Sequence, residues 1–179
     1  MKIISGKYKG RNLLGFDLDG TRPTMDRVKE SLFGMIQLYI DNSIVLDLFS
    51  GSGNLAIESL SNGAKYAYLV DSNYKAINII KKNISTIGIE DVSILNMDYK
   101  KAIESIDEKF DIIFLDPPYK TNYIEESIKL ITKYNILSNE GIIICESDSL
   151  DKIIYNDNYK CIKDKKYGDK YIVILKKIC

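Results

Sequence analysis

The sequence predicts an α/β protein. Its expected core is a doubly wound, mostly parallel sheet of seven strands, with an antiparallel hairpin at the C-terminal edge and a small N-terminal β-hairpin. Three observations carry this. From residue 43 onward, short apolar runs rich in branched residues alternate with segments of helical periodicity. One of these runs, Ile44 to Leu48, leads into Phe49-Ser50-Gly51-Ser52-Gly53 and then a helical pattern. The chain closes on two extended segments around Gly168-Asp169, where a flavodoxin-like fold would end in a helix.

Taken in order, Lys2 to Ser5 and Tyr8 to Leu14 read as extended segments around Gly6-Lys7. Gly15 to Gly20 is a loop. A helix is expected from about Met25 to Tyr39, capped by Thr24. Val28, Leu32, Met35, Ile36 and Tyr39 form its apolar face, with Asp26, Arg27, Lys29 and Glu30 largely off it. Strands are expected at about 43–48, 66–70, 92–95, 110–115 and 142–145, and helices at about 54–61, 74–86, 99–106 and 123–134. Asn139-Glu140-Gly141 reads as the turn into the fifth strand. The terminal hairpin covers about 159–163 and 171–176. Residues 1–20 form a basic extension, and 21–179 form the sheet domain.

A chain of 179 residues, 45% hydrophobic and 10% aromatic, is globular and long enough to bury a substantial core. No apolar run approaches a membrane span and no signal-peptide core is present, so a cytoplasmic protein without a membrane partner is expected. Cys145, Cys161 and Cys179 form no C-x-x-C pair. Histidine is absent, which excludes histidine general bases, Ser-His-Asp triads and histidine metal sites; no metal is expected. Lysine plus arginine balance aspartate plus glutamate at 25 each, so the total does not advertise nucleic-acid binding. The distribution does more. Residues 1–16 carry Lys2, Lys7, Lys9 and Arg11 and no acid, and Arg22, Arg27 and Lys29 follow. These are either an ordinary solvated surface or a contact for a polyanion.

The glycine-rich turn has chemistry of its own. Gly51 and Gly53 leave no Cβ where a ligand must approach the backbone, and the next helix points unpaired N–H groups there. A tight βα connection without a ligand has the same form. The acid at Asp47 departs from the dinucleotide fingerprint and suits a positively charged ligand end, such as the α-ammonium of S-adenosylmethionine. Phe49 and Ser52 belong to the same turn. Asp71, 18 residues beyond Gly53, lies where an acid bonds ribose hydroxyls. Asp98, at the next strand end, is placed to accept an adenine amino group.

Asp116-Pro117-Pro118-Tyr119 ends the fourth strand. Two prolines continue neither strand nor helix, so a plain terminator with Tyr119 in the core is one reading. The other is chemical. An exocyclic base amine is a weak nucleophile because its lone pair is delocalised into the ring. Accepting its protons on the Asp116 carboxylate and the Pro117 carbonyl holds the nitrogen closer to tetrahedral. Tyr119 supplies a face for the base to stack on. No histidine is required, since catalysis of this kind is positioning plus electrostatics.

Several blocks resemble the RsmD family, S-adenosylmethionine-dependent methyltransferases of the exocyclic N2 of a guanine in small-subunit (16S) ribosomal RNA. They are Ile3 to Arg11, Arg22 to Phe33, Leu46 to Gly53, Asp116 to Tyr119 and Gly141 to Glu146. Arg22 to Phe33 is the most family-specific; the glycine turn and Asp-Pro-Pro-Tyr occur in many methyltransferases. The resemblance implies a Rossmann-like methyltransferase fold whose N-terminal hairpin engages RNA. It implies cofactor contacts at Asp47, Gly51, Gly53, Asp71 and Asp98, and amine contacts at Asp116 and Pro117. The partner it implies is an assembled or assembling 30S subunit; a monomer is expected. Lys7, Lys9, Arg11, Arg22 and Arg27 are the candidate RNA contacts. The neutral net charge is lower than the family pattern, and Tyr119 stands where phenylalanine also occurs. The alternatives are an amino-methyltransferase acting on adenine N6 in DNA or RNA or on a protein glutamine, and a non-catalytic assembly factor that binds the cofactor.

Overall fold

The computed structural model describes residues 1–15, 23–118 and 121–178, the side chains of residues 23–25 aside. Its elements are α1 (Pro23–Ile40), β1 (Ile44–Asp47), α2 (Asn54–Ser61), β2 (Tyr66–Asp71), α3 (Tyr74–Ile87), β3 (Val92–Asn96) and α4 (Tyr99–Ser105). Then follow β4 (Phe110–Leu115), α5 (Tyr123–Tyr134), β5 (Leu137–Ser147), a 3-10 turn (Leu150–Lys152), β6 (Tyr159–Tyr167) and β7 (Lys170–Lys177). The seven strands form one sheet in the order β3-β2-β1-β4-β5-β7-β6. Strands β1 to β5 pair in parallel; β7 is antiparallel to both β5 and β6.

Alternation along the strands divides the core in two. Val45, Ile112, Phe114, Ile142 and Ile144 pack with α1, α2 and α3 on one face. Leu46, Ile113, Leu115, Ile143 and Cys145 pack with α4 and α5 on the other. The free thiol of Cys145 is buried and that of Cys161 exposed. Among the described residues, no helix is long and apolar enough to cross a membrane.

Four expectations need correction. Helix α1 begins at Pro23, so Thr24 lies inside its first turn instead of capping it. Proline suits that first position, because its missing N–H is one the first turn leaves unpaired. Lys29, expected off the apolar face, is 4% exposed. β5 starts at Leu137, so Asn139-Glu140-Gly141 is an irregularity within the strand. Leu137 pairs with Phe110, and pairing resumes at Ile142 with Ile112. A Cβ on Gly141 would meet the Leu137 side chain at 2.8 Å, which is why glycine stands there. At the N-terminus the expected hairpin forms but is shorter: Lys2 bridges Asn12, with Ile3 N donating to the Arg11 carbonyl (3.0 Å), Gly10 N to the Ile3 carbonyl (2.8 Å) and Leu13 N to the Met1 carbonyl (2.9 Å).

The reason for that last difference is a buried ion pair. Lys29 Nζ lies 2.9 Å from Glu58 Oε2. Glu58 itself is fully buried. Lys29 also donates to the Lys2 carbonyl (2.5 Å) and Asn54 Oδ1 (2.8 Å). The Glu58 carboxylate accepts from Ile4 N (3.1 Å), Ser5 N (2.9 Å) and Ser5 Oγ (3.0 Å). The Ser5 N–H, next in line to pair across the hairpin, is spent on Glu58 and cannot extend the ladder. The N-terminal segment is therefore an arm docked along α2. Removing one partner of a buried pair typically costs about 3–5 kcal/mol. Glu58→Gln is expected to lower the melting temperature by about 10 °C or more and to speed hydrogen exchange at Ile4 and Ser5. An unchanged melting temperature and unchanged exchange would refute the latch.

The arm has a direction. Its base lies beside the glycine turn, where Leu14 N donates to Asn83 Oδ1 (2.8 Å) and Asn83 Nδ2 donates to the Ser52 carbonyl (3.0 Å). Its tip reaches the far end of α2, where Lys7 N donates to the Ser61 carbonyl (2.7 Å) and Tyr8 N to Ser61 Oγ (2.9 Å). An eight-residue helix is about 12 Å long. Lys7 and Lys9 therefore sit toward the amino end of the sheet, away from the glycine turn.

Candidate active site

β1 and β4 are hydrogen-bonded neighbours, so the two sequence motifs open on one crevice at the carboxyl ends of the strands. Asp47 follows Val45 by two positions, Asp116 follows Phe114 by two, and Glu146 follows Ile144 by two. All three carboxylates therefore lie on the α1 face of the sheet, on adjacent strands. Asp47 pairs with Phe114, which puts the Cα atoms of Asp47 and Asp116 roughly 8 Å apart by strand geometry.

The turn after β1 is braced from several sides. Ser50 N donates to the Val70 carbonyl (2.9 Å), Ser50 Oγ to the Asp47 carbonyl (2.8 Å) and Gly53 N to the Ser50 carbonyl (2.7 Å). Gly53 has φ +80°, and a Cβ there would meet Leu69 Cδ2 at 2.9 Å. Conformation and space together require glycine. Asp71 accepts from Gly51 N at Oδ2 (2.9 Å) and from Asn73 N at Oδ1 (2.8 Å), so it orders the turn. Asp98 caps α4, its Oδ1 accepting from Lys100 N at 2.9 Å.

Asp47 is 1% exposed, and its Oδ1 has no hydrogen-bond partner among the described residues. Burial pushes its carboxyl up to about 7, helped by the charge of Asp71 and opposed by the N–H groups of Phe49 and Ala56. An orphaned acceptor in such a place fits a ligand carrying a buried cation. Burial likewise pushes the half-buried Asp116 up to about 8; the charges of Glu146 and Asp47 add to this, and Lys170 opposes it. Lys170 in turn pairs with Glu146. Pro117 is buried and Pro118 exposed. Tyr119 and Arg22 lie outside the described residues.

Sequence reasoning missed an aromatic cluster at the same edge. The Phe49 ring lies 5.2 Å from Tyr99 and 5.9 Å from Tyr123, with the Phe49 and Tyr123 planes 6° from parallel. Tyr99 Oη donates to Glu126 Oε2, which holds α4 against α5. Both tyrosines open their helices, at the strand ends where ligands bind; that placement was the available signal. Ser52, buried in the turn, and Phe49 stand with the predicted cofactor residues. Arg27 is exposed on the N-terminal half of α1, at the crevice end of the sheet. Lys7, Lys9 and Arg11 are not brought to the crevice. Arg11 Nη1 donates to the Ile87 carbonyl at the end of α3 (2.7 Å).

A family model described as Conserved hypothetical protein 95 matches residues 1–176. The Haemophilus influenzae protein named ribosomal RNA small subunit methyltransferase D is 35% identical over 173 residues, covering 94% of this chain and 89% of that protein. The Escherichia coli K12 protein of the same name is 33% identical over 148 residues, covering 83% of this chain and 75% of that protein. The solved structure of yhhF from Escherichia coli superposes with a TM-score of 0.88 at 29% identity, covering 99% of this chain and 97% of that one. With its glycine turn and Asp-Pro-Pro motif meeting in one crevice, this chain belongs to that family, the RsmD family of methyltransferases.

Proposed function

We propose that this chain methylates the exocyclic N2 amine of a guanine in small-subunit (16S) ribosomal RNA, using S-adenosylmethionine. The observation that carries the reading is the placement of Asp116 one strand from Asp47, on the same face of the sheet. The orphaned, buried Oδ1 of Asp47 fits the ammonium end of this cofactor. S-adenosylmethionine supplies, when bound, an electrophilic methyl group.

Asp47 receives the α-ammonium at its free oxygen. The backbone of Gly51, Ser52 and Gly53 leaves room for the amino-acid end, and Asp71 meets the ribose hydroxyls. Phe49, Tyr99 and Tyr123 offer apolar rings for the adenine, whose amino group Asp98 accepts. On the acceptor side, the Asp116 carboxylate and the Pro117 carbonyl accept the N–H groups of the target amine. Pro118 stiffens the turn, and Tyr119 stacks on the base. Asp116 accepts strongly only when ionised, so its task is tied to its elevated pKa. The enzyme acts as a cytoplasmic monomer on the rRNA of an assembled or assembling small subunit, without a metal.

Purified enzyme with methyl-labelled cofactor is expected to label small subunits isolated from cells lacking the gene, with N2-methylguanosine as the product. Labelling of adenine, or of duplex DNA in place of rRNA, would point to the adenine reading instead. The basic arm, residues 1–20, is part of the proposal, as are Arg22 and Arg27 as RNA contacts, Arg27 at the crevice end of the sheet. Lys7→Gln with Lys9→Gln is expected to weaken rRNA affinity and to lower the slope of log affinity against log salt by about one to two. Arg11 is left intact because it also anchors α3. An unchanged affinity and slope would remove the arm from the RNA surface.

A further inference from the structure

The chain is neutral overall, and the arm's lysines sit at the end of the sheet away from the crevice. Positive charge at the crevice mouth has another source. Between Tyr159 and Lys177 the sequence carries seven lysines against two aspartates, Asp164 and Asp169. Ser147, at the carboxyl end of β5, pairs with Tyr171, and Tyr167 pairs with Lys170 across the turn. The turn of the β6–β7 hairpin therefore stands at the same end of the sheet as Asp47 and Asp116. Lys163 pairs with Ile174 and Lys165 with Ile172, both of which face α1. Those two lysines thus project on the face that carries Asp116. Lys165 Nζ donates to Ser31 Oγ of α1 (3.3 Å), and Tyr167 Oη bonds the same hydroxyl, which fixes the hairpin against α1.

We infer that the β6–β7 hairpin is a second RNA-binding surface, with Lys163, Lys165 and Lys166 holding the phosphodiester backbone beside the target nucleotide. This rests on the rRNA reading above. All three side chains are exposed, and none forms an ion pair with another described residue. Lys165 and Lys166 lie over the rings of Tyr167 and Tyr171, each 5.1 Å from the centroid, which keeps the ammonium groups on the surface. β6 is three strand spacings from β4, roughly 14 Å. That is within reach of the phosphates flanking a base delivered to Asp116. Lysines on an edge strand also deter edge-to-edge pairing between molecules. Such a guard works anywhere along the edge, whereas phosphate contact depends on the end of the hairpin.

The test compares Lys163→Gln/Lys165→Gln/Lys166→Gln with Lys160→Gln at the far end of β6. The probes are unmodified 16S rRNA and small subunits, titrated at several salt concentrations. The triple variant is expected to lose about tenfold in affinity at physiological salt and about two in salt slope. Its RNA KM should rise with kcat at saturating RNA within twofold of wild type. Cofactor affinity should be unchanged. Lys160→Gln should match wild type, and the triple lysine-to-arginine variant should restore binding. Unchanged RNA affinity and slope in the triple variant, with or without increased self-association, would overturn the inference while leaving the rRNA reading standing. Failure of the wild type to methylate rRNA would overturn both.

Discussion

Asp116→Ala is expected to lower kcat for methyl transfer about 100- to 1,000-fold while cofactor affinity stays within about threefold. The side chain stands at the end of β4 on the α1 face, one strand from Asp47. Without it the target amine loses an acceptor, and its lone pair relaxes into the ring. Cofactor affinity survives because the glycine turn is braced by Ser50, Asp71 and Asn83, none of which leans on Asp116. pH gives a second readout. Burial and the neighbouring carboxylates raise Asp116 to about 8 in the ligand-free protein. Below that value the group is protonated and accepts the amine's N–H groups only weakly, without the help of a negative charge. The wild-type rate at low RNA is therefore expected to climb as pH rises from about 6 toward 8, and the Asp116→Ala residual rate to be flat over that window. A steep profile retained in the variant would assign the titration to another group.

The second large effect is at Asp47. Asp47→Asn is expected to weaken cofactor binding about 30- to 1,000-fold, the usual range when one member of a buried charge pair is neutralised. Calorimetry with S-adenosylmethionine or S-adenosylhomocysteine measures this directly; affinity within threefold of wild type would remove the ammonium contact. Stability should move the other way. An acid whose folded-state pKa is raised, here from 3.8 to about 7, holds its proton longer in the folded chain than in the unfolded one. Its stabilising contribution is full below the unfolded value and is lost as pH rises through the folded value. The ligand-free wild type should therefore lose melting temperature between about pH 4 and 7, and Asp47→Asn should lose less. Above pH 7 the ligand-free variant should be the more stable protein, because it no longer buries an unpaired charge.

Much of this was legible in the residues. The branched apolar runs and their helical partners set β1 to β4 and α2 to α5 close to their observed bounds, because a buried parallel strand has little freedom in composition. Asp47, the glycines and Asp116 were legible because each stands at a strand end, where function concentrates in open α/β sheets. What was hidden depended on contacts remote in sequence. Lys29 reads as a surface lysine until Glu58, 29 residues on, is packed against it. The arm reads as a free hairpin until its N–H groups are seen to serve Glu58 and Ser61. Phe49, Tyr99 and Tyr123 come from three separate connections, and only the order of the strands brings their rings together. The long β5 was read short because Asn139, Glu140 and Gly141 are turn residues by composition. Their place is decided by the pairing of Leu137 with Phe110. The lysines of β6 carry no motif; only the antiparallel pairing of β7 with β5 puts their hairpin turn at the crevice end.

The two-sided crevice, with Asp47 holding the methyl donor and Asp116 the acceptor amine, is tested most directly by mass-spectrometric mapping of the methylated nucleoside in small-subunit rRNA. The rRNA would be treated in parallel with wild type, Asp116→Ala and Asp47→Asn. The expected result is one N2-methylguanosine with wild type. Asp116→Ala should give almost none at saturating cofactor, and Asp47→Asn should recover only as cofactor concentration is raised. Methylation of a different base, or an undiminished N2-methylguanosine yield with Asp116→Ala, would contradict it.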